Sequence, residues 1–135
     1  MVMHMHRNNK GFVVWLTGLS GAGKSTIALS LEQTLVSTGE KVEVLDGDMF
    51  RKRLGNEQGF SRRDRVLNMN CMGHTAQLLS KHGVVVILAA ISPYREVREY
   101  WKREIKRFIE VYVNCPLEVC ISTGTATGNT PSDWC

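Results

Sequence analysis

The stretch Gly18-Leu19-Ser20-Gly21-Ala22-Gly23-Lys24-Ser25 decides the fold of this 135-residue chain. It fits the pattern G-x-x-x-x-G-K-[ST], in which glycines let backbone N–H groups converge on phosphate oxygens. Lys24 can reach the β and γ phosphates of a nucleotide, and the Ser25 hydroxyl is a candidate Mg²⁺ ligand. A helix that begins here adds the positive end of its dipole to the same anion site. The stretch therefore predicts a phosphate-binding loop (P-loop) for ATP and Mg²⁺.

The sequence on either side of the loop supports this prediction. Phe12–Thr17 is typical of a buried strand that runs into the loop, and Thr26–Leu31 of a helix that leaves it. A Rossmann site is disfavoured because the chain contains no G-x-G-x-x-G. The predicted fold is α/β, a three-layer P-loop NTPase fold with a parallel sheet. The predicted ATP-binding residues are Gly18, Leu19, Ser20, Gly21, Ala22, Gly23, Lys24, Ser25 and Thr26.

Composition limits the classes of protein that this chain can represent. With 43% hydrophobic and 22% charged residues it is an ordinary globular sequence, long enough for one domain. The net charge of +4 suits an anionic substrate but is too small to indicate nucleic acid. The longest apolar run, Val84–Ile91, is too short to cross a membrane. Four cysteines without any C-x-x-C pattern indicate reduced thiols, so we expect a cytoplasmic protein. The short apolar run and the small net charge predict no membrane partner and no nucleic-acid partner.

Three more strands and several helices follow from the hydrophobic pattern. The strands are predicted at Val42–Leu45, Val84–Ala90 and Phe108–Val113. P-loop kinases usually arrange five parallel strands in the order 2-3-1-4-5, so the fourth strand would here lie at an edge. The helix after the loop is expected to bury Ile27, Leu31 and Leu35. The next long helix is expected to begin after the N-cap Ser61 and end near His82, with an apolar face of Val66, Met69, Met72, Ala76 and Leu79.

Polar residues follow two of the predicted strands, where open α/β sheets bind ligands. Asp46-Gly47-Asp48 comes after the second strand, and a P-loop at the same edge calls for a metal-site carboxylate or a base. Asp48 is also the predicted N-cap of a helix from Met49 to Leu54. Ser92-Pro93 comes after the third strand, with Ser92 as the expected N-cap and Pro93 as the first residue of a helix that buries Val97, Trp101 and Ile105.

Five separated blocks together resemble the adenylylsulfate kinase (APS kinase) family, over about Gly11 to Cys120. They are Gly11 to Thr26; Leu45-Asp46-Gly47-Asp48 with Arg51; Gly59-Phe60-Ser61 with Asp64-Arg65 and Asn68; Ile91-Ser92-Pro93-Tyr94-Arg95; and Val111 to Cys120. The resemblance implies phosphorylation of the 3′-hydroxyl of adenylylsulfate by MgATP, which gives 3′-phosphoadenylylsulfate. Members of that family are commonly dimers, so a homodimer is expected.

The resemblance also implies roles for individual residues. Phe60 would stack on the substrate adenine, and Arg51 and Arg65 would clamp its phosphosulfate. Asp48 is the candidate for accepting the 3′-hydroxyl proton and Asp46 for holding Mg²⁺ through water, and the two roles can be exchanged. Ser92 matches a serine assigned in the family as a phosphoserine intermediate, although in-line transfer needs no covalent step. The implied catalytic residues are Lys24, Asp46, Asp48 and Ser92, the metal ligands Ser25 and Asp46, and the substrate-binding residues Asp48, Arg51, Phe60, Arg65, Asn68, Ile91 and Ser92.

The chain departs from the family pattern after Cys120. The family continues with a basic lid and a fifth strand, whereas here Ile121-Ser122-Thr123-Gly124-Thr125 leads into a segment without apolar periodicity. We therefore expect a kinase domain over 11–121, flexible termini at 1–10 and 122–135, and a sequence truncated or frame-shifted near Cys120. Without the lid, a nucleotide-binding protein with little catalysis is an alternative function. Another small-molecule P-loop kinase, of gluconate or shikimate type, is a second alternative.

Overall fold

The structure, a computed structural model, describes residues 11–19, 21–53 and 61–114 of the chain. Ser20, Phe60 and all predictions for 1–10 and 115–135 lie outside the described residues. The described elements are β1 (Val13–Thr17), α1 (Lys24–Ser37), β2 (Val42–Asp46), α2 (Gly47–Arg53), α3 (Arg62–Lys81), β3 (Val85–Ala89), α4 (Arg95–Glu104) and β4 (Phe108–Tyr112). Each predicted strand is present to within one residue at either end.

The four strands form one parallel sheet in the order β2-β3-β1-β4. This is the expected order as far as the described strands extend. β1 and β3 are buried along their whole length because they lie between other strands and carry helices on both faces. Since all strands run in the same direction, their carboxyl ends meet at one edge of the sheet. The loops after β1, β2 and β3 therefore leave the sheet on the same side.

Alternate residues of the central strands supply two separate cores, which makes the fold three-layered. On one face, Trp15 and Leu88 pack with α3 and α4. On the other face, Leu16 and Ile87 pack with Ala28, Leu31 and Leu35 of α1. The prediction that Ile27 belongs to the core is wrong, because this residue is 39% exposed. Ala28, one residue later, is the position of α1 that turns toward the sheet.

α3 begins and follows its course as its sequence predicts. The Ser61 hydroxyl accepts a hydrogen bond from the Asp64 backbone N–H at 3.2 Å and donates to the Asp64 carboxylate at 2.6 Å. This reciprocal pair satisfies an N–H group that the first helical turn leaves without a backbone partner. Met69, Met72 and Ala76 of the predicted apolar face are buried in the core. The cap thus fixes where α3 starts relative to the sheet edge.

β4 lies at an edge of the sheet in the described part of the chain, as predicted. It pairs with β1 on one side, and its Ile109 and Tyr112 side chains are about half exposed. α1 contacts β1, β2 and β3, and the described helices leave the Ile109 side of β4 uncovered. An open strand edge is a template for association. We therefore expect this exposed strand to favour aggregation.

Gly73 sets the distance between α3 and α4. A Cβ atom at this position would lie 2.4 Å from the indole ring of Trp101, whose Nε1 donates to Asn70 Oδ1 at 3.0 Å. We expect Gly73→Ala to lower the free energy of unfolding by about 1–3 kcal/mol, the usual cost of overpacking a core. Chemical denaturation measures this loss. His74→Ala, at the exposed neighbouring position, is the control and should change stability by less than about 0.5 kcal/mol; equal losses would contradict the packing argument.

Candidate active site

The loop after β1 wraps around its own lysine. Lys24 Nζ donates hydrogen bonds to the carbonyl oxygens of Gly18 at 2.7 Å and Leu19 at 2.8 Å, and the residue is buried. Gly18, Gly21 and Gly23 have φ values of 150°, 80° and 100°, a region that side-chain-bearing residues rarely adopt. The glycines therefore let the chain close around the ammonium group. The cation is thereby held against the backbone of the loop that is predicted to bind phosphate.

The amino end of α1 faces this loop without a side-chain cap. Its N-cap is Gly23, which offers no side-chain acceptor, and no acidic residue lies in the first turn. The helix begins at Lys24, earlier than the sequence pattern alone defined. Ser25 and Thr26 are exposed in this turn. The first-turn N–H groups and the helix dipole therefore remain available to an anionic ligand.

Asp46 caps α2, which corrects the prediction for Asp48. Asp46 Oδ1 accepts hydrogen bonds from the backbone N–H groups of Asp48 at 2.9 Å and Met49 at 3.2 Å. α2 consequently begins at Gly47, two residues before the predicted Met49. The helix starts early because the strand-end carboxylate already meets its first-turn N–H groups. Asp48 lies inside the first turn instead of preceding it.

Asp48 and Arg51 form an ion pair on the surface of α2. Arg51 Nη2 lies 2.6 Å from Asp48 Oδ1, one helical turn away. The Asp48 side chain is 76% exposed, whereas that of Arg51 is 26% exposed. Two of the residues expected to contact the substrate are thus paired with each other. An exposed pair of this kind is easily exchanged for a ligand because its net stabilisation is small.

Asn68 on α3 joins the site through the backbone of α2. Its Nδ2 donates to the Gly47 carbonyl oxygen at 3.2 Å, and its Oδ1 is buried without a hydrogen-bond partner among the described residues. Buried polar atoms nearly always have a hydrogen-bond partner, so this oxygen at the predicted ligand-binding edge is a candidate contact for a ligand. Arg65, one turn earlier on α3, is half-buried. α3 therefore carries both predicted residues toward the end of β2.

Ser92 is not an N-cap, contrary to the prediction. α4 begins at Arg95 and its N-cap is Tyr94, which makes no side-chain capping bond. The Ser92 side chain is fully buried, and its Oγ accepts a hydrogen bond from Trp15 Nε1 at 2.9 Å. The sequence could not show this because the two residues are 77 positions apart. A buried indole N–H needs a partner, and the hydroxyl supplies one.

Ser92→Ala is expected to lower the free energy of unfolding by about 1–3 kcal/mol, because it leaves the buried Trp15 N–H unsatisfied. Urea denaturation measures the loss. Ser61→Ala removes a true N-cap and should cost about 1 kcal/mol. In the double variant Ser92→Ala with Trp15→Phe, the loss should be smaller than the sum of the two single losses. Strict additivity would contradict the hydrogen bond between these side chains.

The structure brings most predicted site residues to one edge of the sheet. In the register of the strands, Ala89 of β3 is opposite both Asp46 of β2 and Leu16 of β1. Strands lie about 4.8 Å apart, so the P-loop and Asp46 are separated by roughly 10 Å. Ile91 is half-buried just beyond β3 at the same edge. The predicted residues Ser20 and Phe60 lie outside the described part of the chain.

The arrangement of donors fits a nucleotide-bound cation better than a protein-only metal site. Within residues 11–19, 21–53 and 61–114, no three His, Cys, Asp or Glu side chains gather in a metal-binding group. Mg²⁺ is commonly held by one or two carboxylates together with substrate phosphates. Asp46 Oδ2 accepts no hydrogen bond from the described residues, and the Ser25 residue is exposed. The two predicted metal ligands, Ser25 and Asp46, are compatible with such a cation.

A P-loop at the end of β1 in a parallel β2-β3-β1-β4 sheet with helices on both faces defines the class of P-loop NTPases. The family model for adenylylsulphate kinase matches residues 10–126. This chain belongs to the adenylylsulfate kinase family, as the resemblance of its five sequence blocks predicted. None of the helices in the described residues combines the length and apolar character that a membrane crossing requires.

Relatives with known names agree with this family. The adenylyl-sulfate kinase of Microcystis aeruginosa is 52% identical over 111 residues, which are 82% of this chain and 61% of the relative. The chain thus spans about three fifths of the length of that curated relative. A Mycobacterium tuberculosis APS kinase, solved in complex with AMPPNP and APS, is 40% identical with a TM-score of 0.77, over 84% of this chain and 68% of that one. A hexameric APS kinase from Thiobacillus denitrificans is 37% identical with a TM-score of 0.68, over 79% and 24% of the two chains.

Proposed function

We propose that this chain transfers the γ-phosphoryl group of ATP to the 3′-hydroxyl of adenylylsulfate. The observation that carries the proposal is the P-loop with its buried Lys24, at the same sheet edge as Asp46, Asn68 and Ile91. The solved relative from Mycobacterium tuberculosis holds AMPPNP and APS. Membership of the family weighs against a gluconate- or shikimate-type kinase. A cytoplasmic location is part of this proposal and rests on the reduced thiols that the cysteine pattern indicates.

At the donor site, the residues from Gly18 to Thr26 would cradle the ATP phosphates. Lys24 would exchange the carbonyls of Gly18 and Leu19 for phosphate oxygens, which carry full negative charge and attract the ammonium more strongly. Ser25 and Asp46 would hold Mg²⁺, which neutralises phosphate charge during transfer. The chain itself supplies orientation and charge, since phosphoryl transfer needs no covalent step on the protein.

At the acceptor site, Arg51 and Arg65 would bind the phosphosulfate group. Binding would free Asp48 from its ion pair with Arg51, so that the carboxylate could take the 3′-hydroxyl proton. The assignment of Asp48 as base and Asp46 as metal residue stays open to exchange, although Asp46 Oδ1 is already occupied as the cap of α2. Asn68 Oδ1 and Ile91 would complete the walls around the nucleotide, and Ser92, whose side chain is fully buried, would support Ile91 from behind.

The direct test is a coupled assay for ADP formation by the purified 135-residue chain. We expect ADP release that depends on adenylylsulfate and Mg²⁺, and no release with gluconate or shikimate. Calorimetric titration with AMPPNP is run in parallel. Binding of AMPPNP without turnover would overturn the kinase proposal and favour the nucleotide-binding alternative. Turnover with another acceptor would overturn the choice of substrate.

Phe60 gives a selective test of the acceptor site. By its place in the family motif it would stack on the adenine of adenylylsulfate, and a stacking contact on a base contributes roughly 1–3 kcal/mol. Phe60→Ala should therefore weaken adenylylsulfate binding by about one to two decades and leave AMPPNP binding nearly unchanged. Isothermal titration with each ligand measures both affinities. Equal losses for the two ligands would exclude the stacking role.

A homodimer is proposed as the assembly in solution. It rests on the dimers common in the family, and the Thiobacillus denitrificans relative is a hexamer. Light scattering coupled to size exclusion would determine the mass. A single species with the 15.2 kDa mass of one chain would contradict this proposal.

A further inference from the structure

Three contacts converge on the segment between β3 and α4, residues Ile91–Tyr94. From beneath, Trp15 Nε1 donates to the hydroxyl of Ser92 at 2.9 Å. From α4, Arg98 Nη1 donates to the backbone carbonyl of Ser92. From α3, the guanidinium of Arg62 lies over the Tyr94 ring, 4.5 Å from its centroid. The segment lies between a strand and a helix, and these three side chains fix it in addition to the backbone hydrogen bonds that the Tyr94 carbonyl accepts from Val97 and Arg98.

Arg98 is the unusual member of this group. The residue is only 7% exposed, although arginine is almost never fully buried unless it is paired. Its Nε donates to Glu110 Oε1 at 2.9 Å, and Glu110 lies on β4. The planar guanidinium thus links a carbonyl just beyond β3 to a carboxylate on β4. A lysine could not reproduce this geometry, because its ammonium is a single point charge on a flexible stem.

The position of the segment connects this linkage to the reaction. Ile91 and Ser92 come directly after β3, the strand between the P-loop strand β1 and the Asp46 strand β2. A shift of the segment would therefore displace the wall of the acceptor site. The P-loop is built on the end of β1 and the start of α1, and the hydrogen bonds that hold its Lys24 do not involve this segment. The two ligands should accordingly respond differently when the linkage is broken.

We infer that Arg98 is a positioning residue that, with Glu110 as its counter-charge, fixes the segment Ile91–Tyr94 for binding of the acceptor nucleotide. This inference rests on the proposed function, because it concerns the acceptor site of that reaction. Arg98 is buried beneath the segment and acts through Ser92. Its predicted effect is consequently on acceptor affinity and not on the proton transfer itself.

The test compares Arg98→Met, Arg98→Lys and Glu110→Gln with the unaltered chain. Each variant is titrated with adenylylsulfate and with AMPPNP. Adenylylsulfate binding should weaken about tenfold or more in Arg98→Met, the effect of losing a charge-assisted hydrogen bond. AMPPNP binding should change less than about threefold. Arg98→Lys should not restore acceptor binding, and Arg103→Met, an exposed arginine on the same helix, is the matched control.

A second readout follows the segment without any ligand. The Trp15 indole N–H is bonded to Ser92, whereas the Trp101 indole N–H is bonded to Asn70 and serves as an internal reference. Hydrogen exchange measured by NMR should accelerate at the Trp15 indole in Arg98→Met and Glu110→Gln, and remain unchanged at Trp101. Glu110→Gln preserves side-chain shape and keeps the test informative if Arg98→Met does not fold.

The outcomes separate this inference from the proposed function. If the unaltered chain does not bind adenylylsulfate, the proposed function fails, and the Trp15 exchange rate still decides whether Arg98 holds Ser92. If the unaltered chain binds adenylylsulfate but Arg98→Met binds it equally well, the inference fails while the proposed function stands. Parallel losses for adenylylsulfate and AMPPNP, or unchanged exchange at Trp15, would also overturn the positioning role.

Discussion

Replacing Lys24 by alanine is expected to abolish adenylylsulfate-dependent ADP formation. The variant loses the ammonium group that the carbonyls of Gly18 and Leu19 hold within the P-loop. Preorganised donors of this kind each contribute about 10²–10³-fold to turnover, because they meet charge that develops in the transition state. AMPPNP affinity should fall by about tenfold or more, since a charge-assisted contact to phosphate is lost.

Two further variants separate charge from packing at this position. Lys24→Met keeps most of the aliphatic stem and loses the ammonium, so we expect it to be as inactive as Lys24→Ala. Lys41→Ala removes an exposed lysine before β2 and should leave both turnover and AMPPNP affinity unchanged. Steady-state assays and calorimetry measure these quantities. Substantial activity in Lys24→Met, or near-native AMPPNP affinity in Lys24→Ala, would contradict the assignment of this loop as the ATP-binding site.

The sheet could be predicted because its signals are local. The central strands β1 and β3 are short, mostly apolar runs, β2 and β4 carry apolar residues around a single glutamate, and the P-loop pattern fixes the direction of β1. The start of α3 could be predicted for the same reason, since Ser61 and Asp64 are only three positions apart and satisfy each other. For these features the deciding residues lie close together in the chain, and the amino-acid pattern was sufficient.

The contacts that shape the site depend on residues distant in sequence. Ser92 has the local chemistry of an N-cap, yet the buried indole of Trp15 competes for its hydroxyl and holds it in the core. A tertiary contact thus overrides the local preference of Ser92. The early start of α2 is instead a local effect, because Asp46 accepts the N–H groups of Asp48 and Met49, two and three residues later, and leaves Asp48 inside the helix.

The burial of Arg98 also depends on a residue that is distant in sequence. In sequence it is one of several basic residues in and just after α4, of which Lys102, Arg103, Lys106 and Arg107 are exposed. Its burial depends on Glu110, which lies on β4 and becomes a neighbour only once the sheet is formed. The available signal was helical phase, because Arg98 follows the buried Val97 and precedes the buried Trp101 by one turn. That helical phase is compatible with burial of Arg98, but it does not predict that Glu110 is its partner.

Gly18→Ala is expected to destabilise the fold and the P-loop together. A Cβ at position 18 would lie 2.6 Å from the carbonyl oxygen of Val113, which is backbone and cannot move aside as a flexible side chain could. The φ of 150° adds a second cost, because L side chains rarely adopt it. A positive φ costs roughly 1–2 kcal/mol and overpacking about 1–3, so we expect a loss of about 2–5 kcal/mol.

Gly39→Ala is the matched control for this variant. Gly39 has a φ of 86°, but a Cβ there would meet nothing within 4 Å, so its substitution measures the backbone cost alone. It should lose about 1–2 kcal/mol and retain AMPPNP affinity. Gly18→Ala should lose clearly more stability, and its AMPPNP affinity should fall even at a temperature where it remains folded. Equal losses in the two variants, measured by denaturation, would show that the contact between Gly18 and Val113 does not limit the shape of the loop.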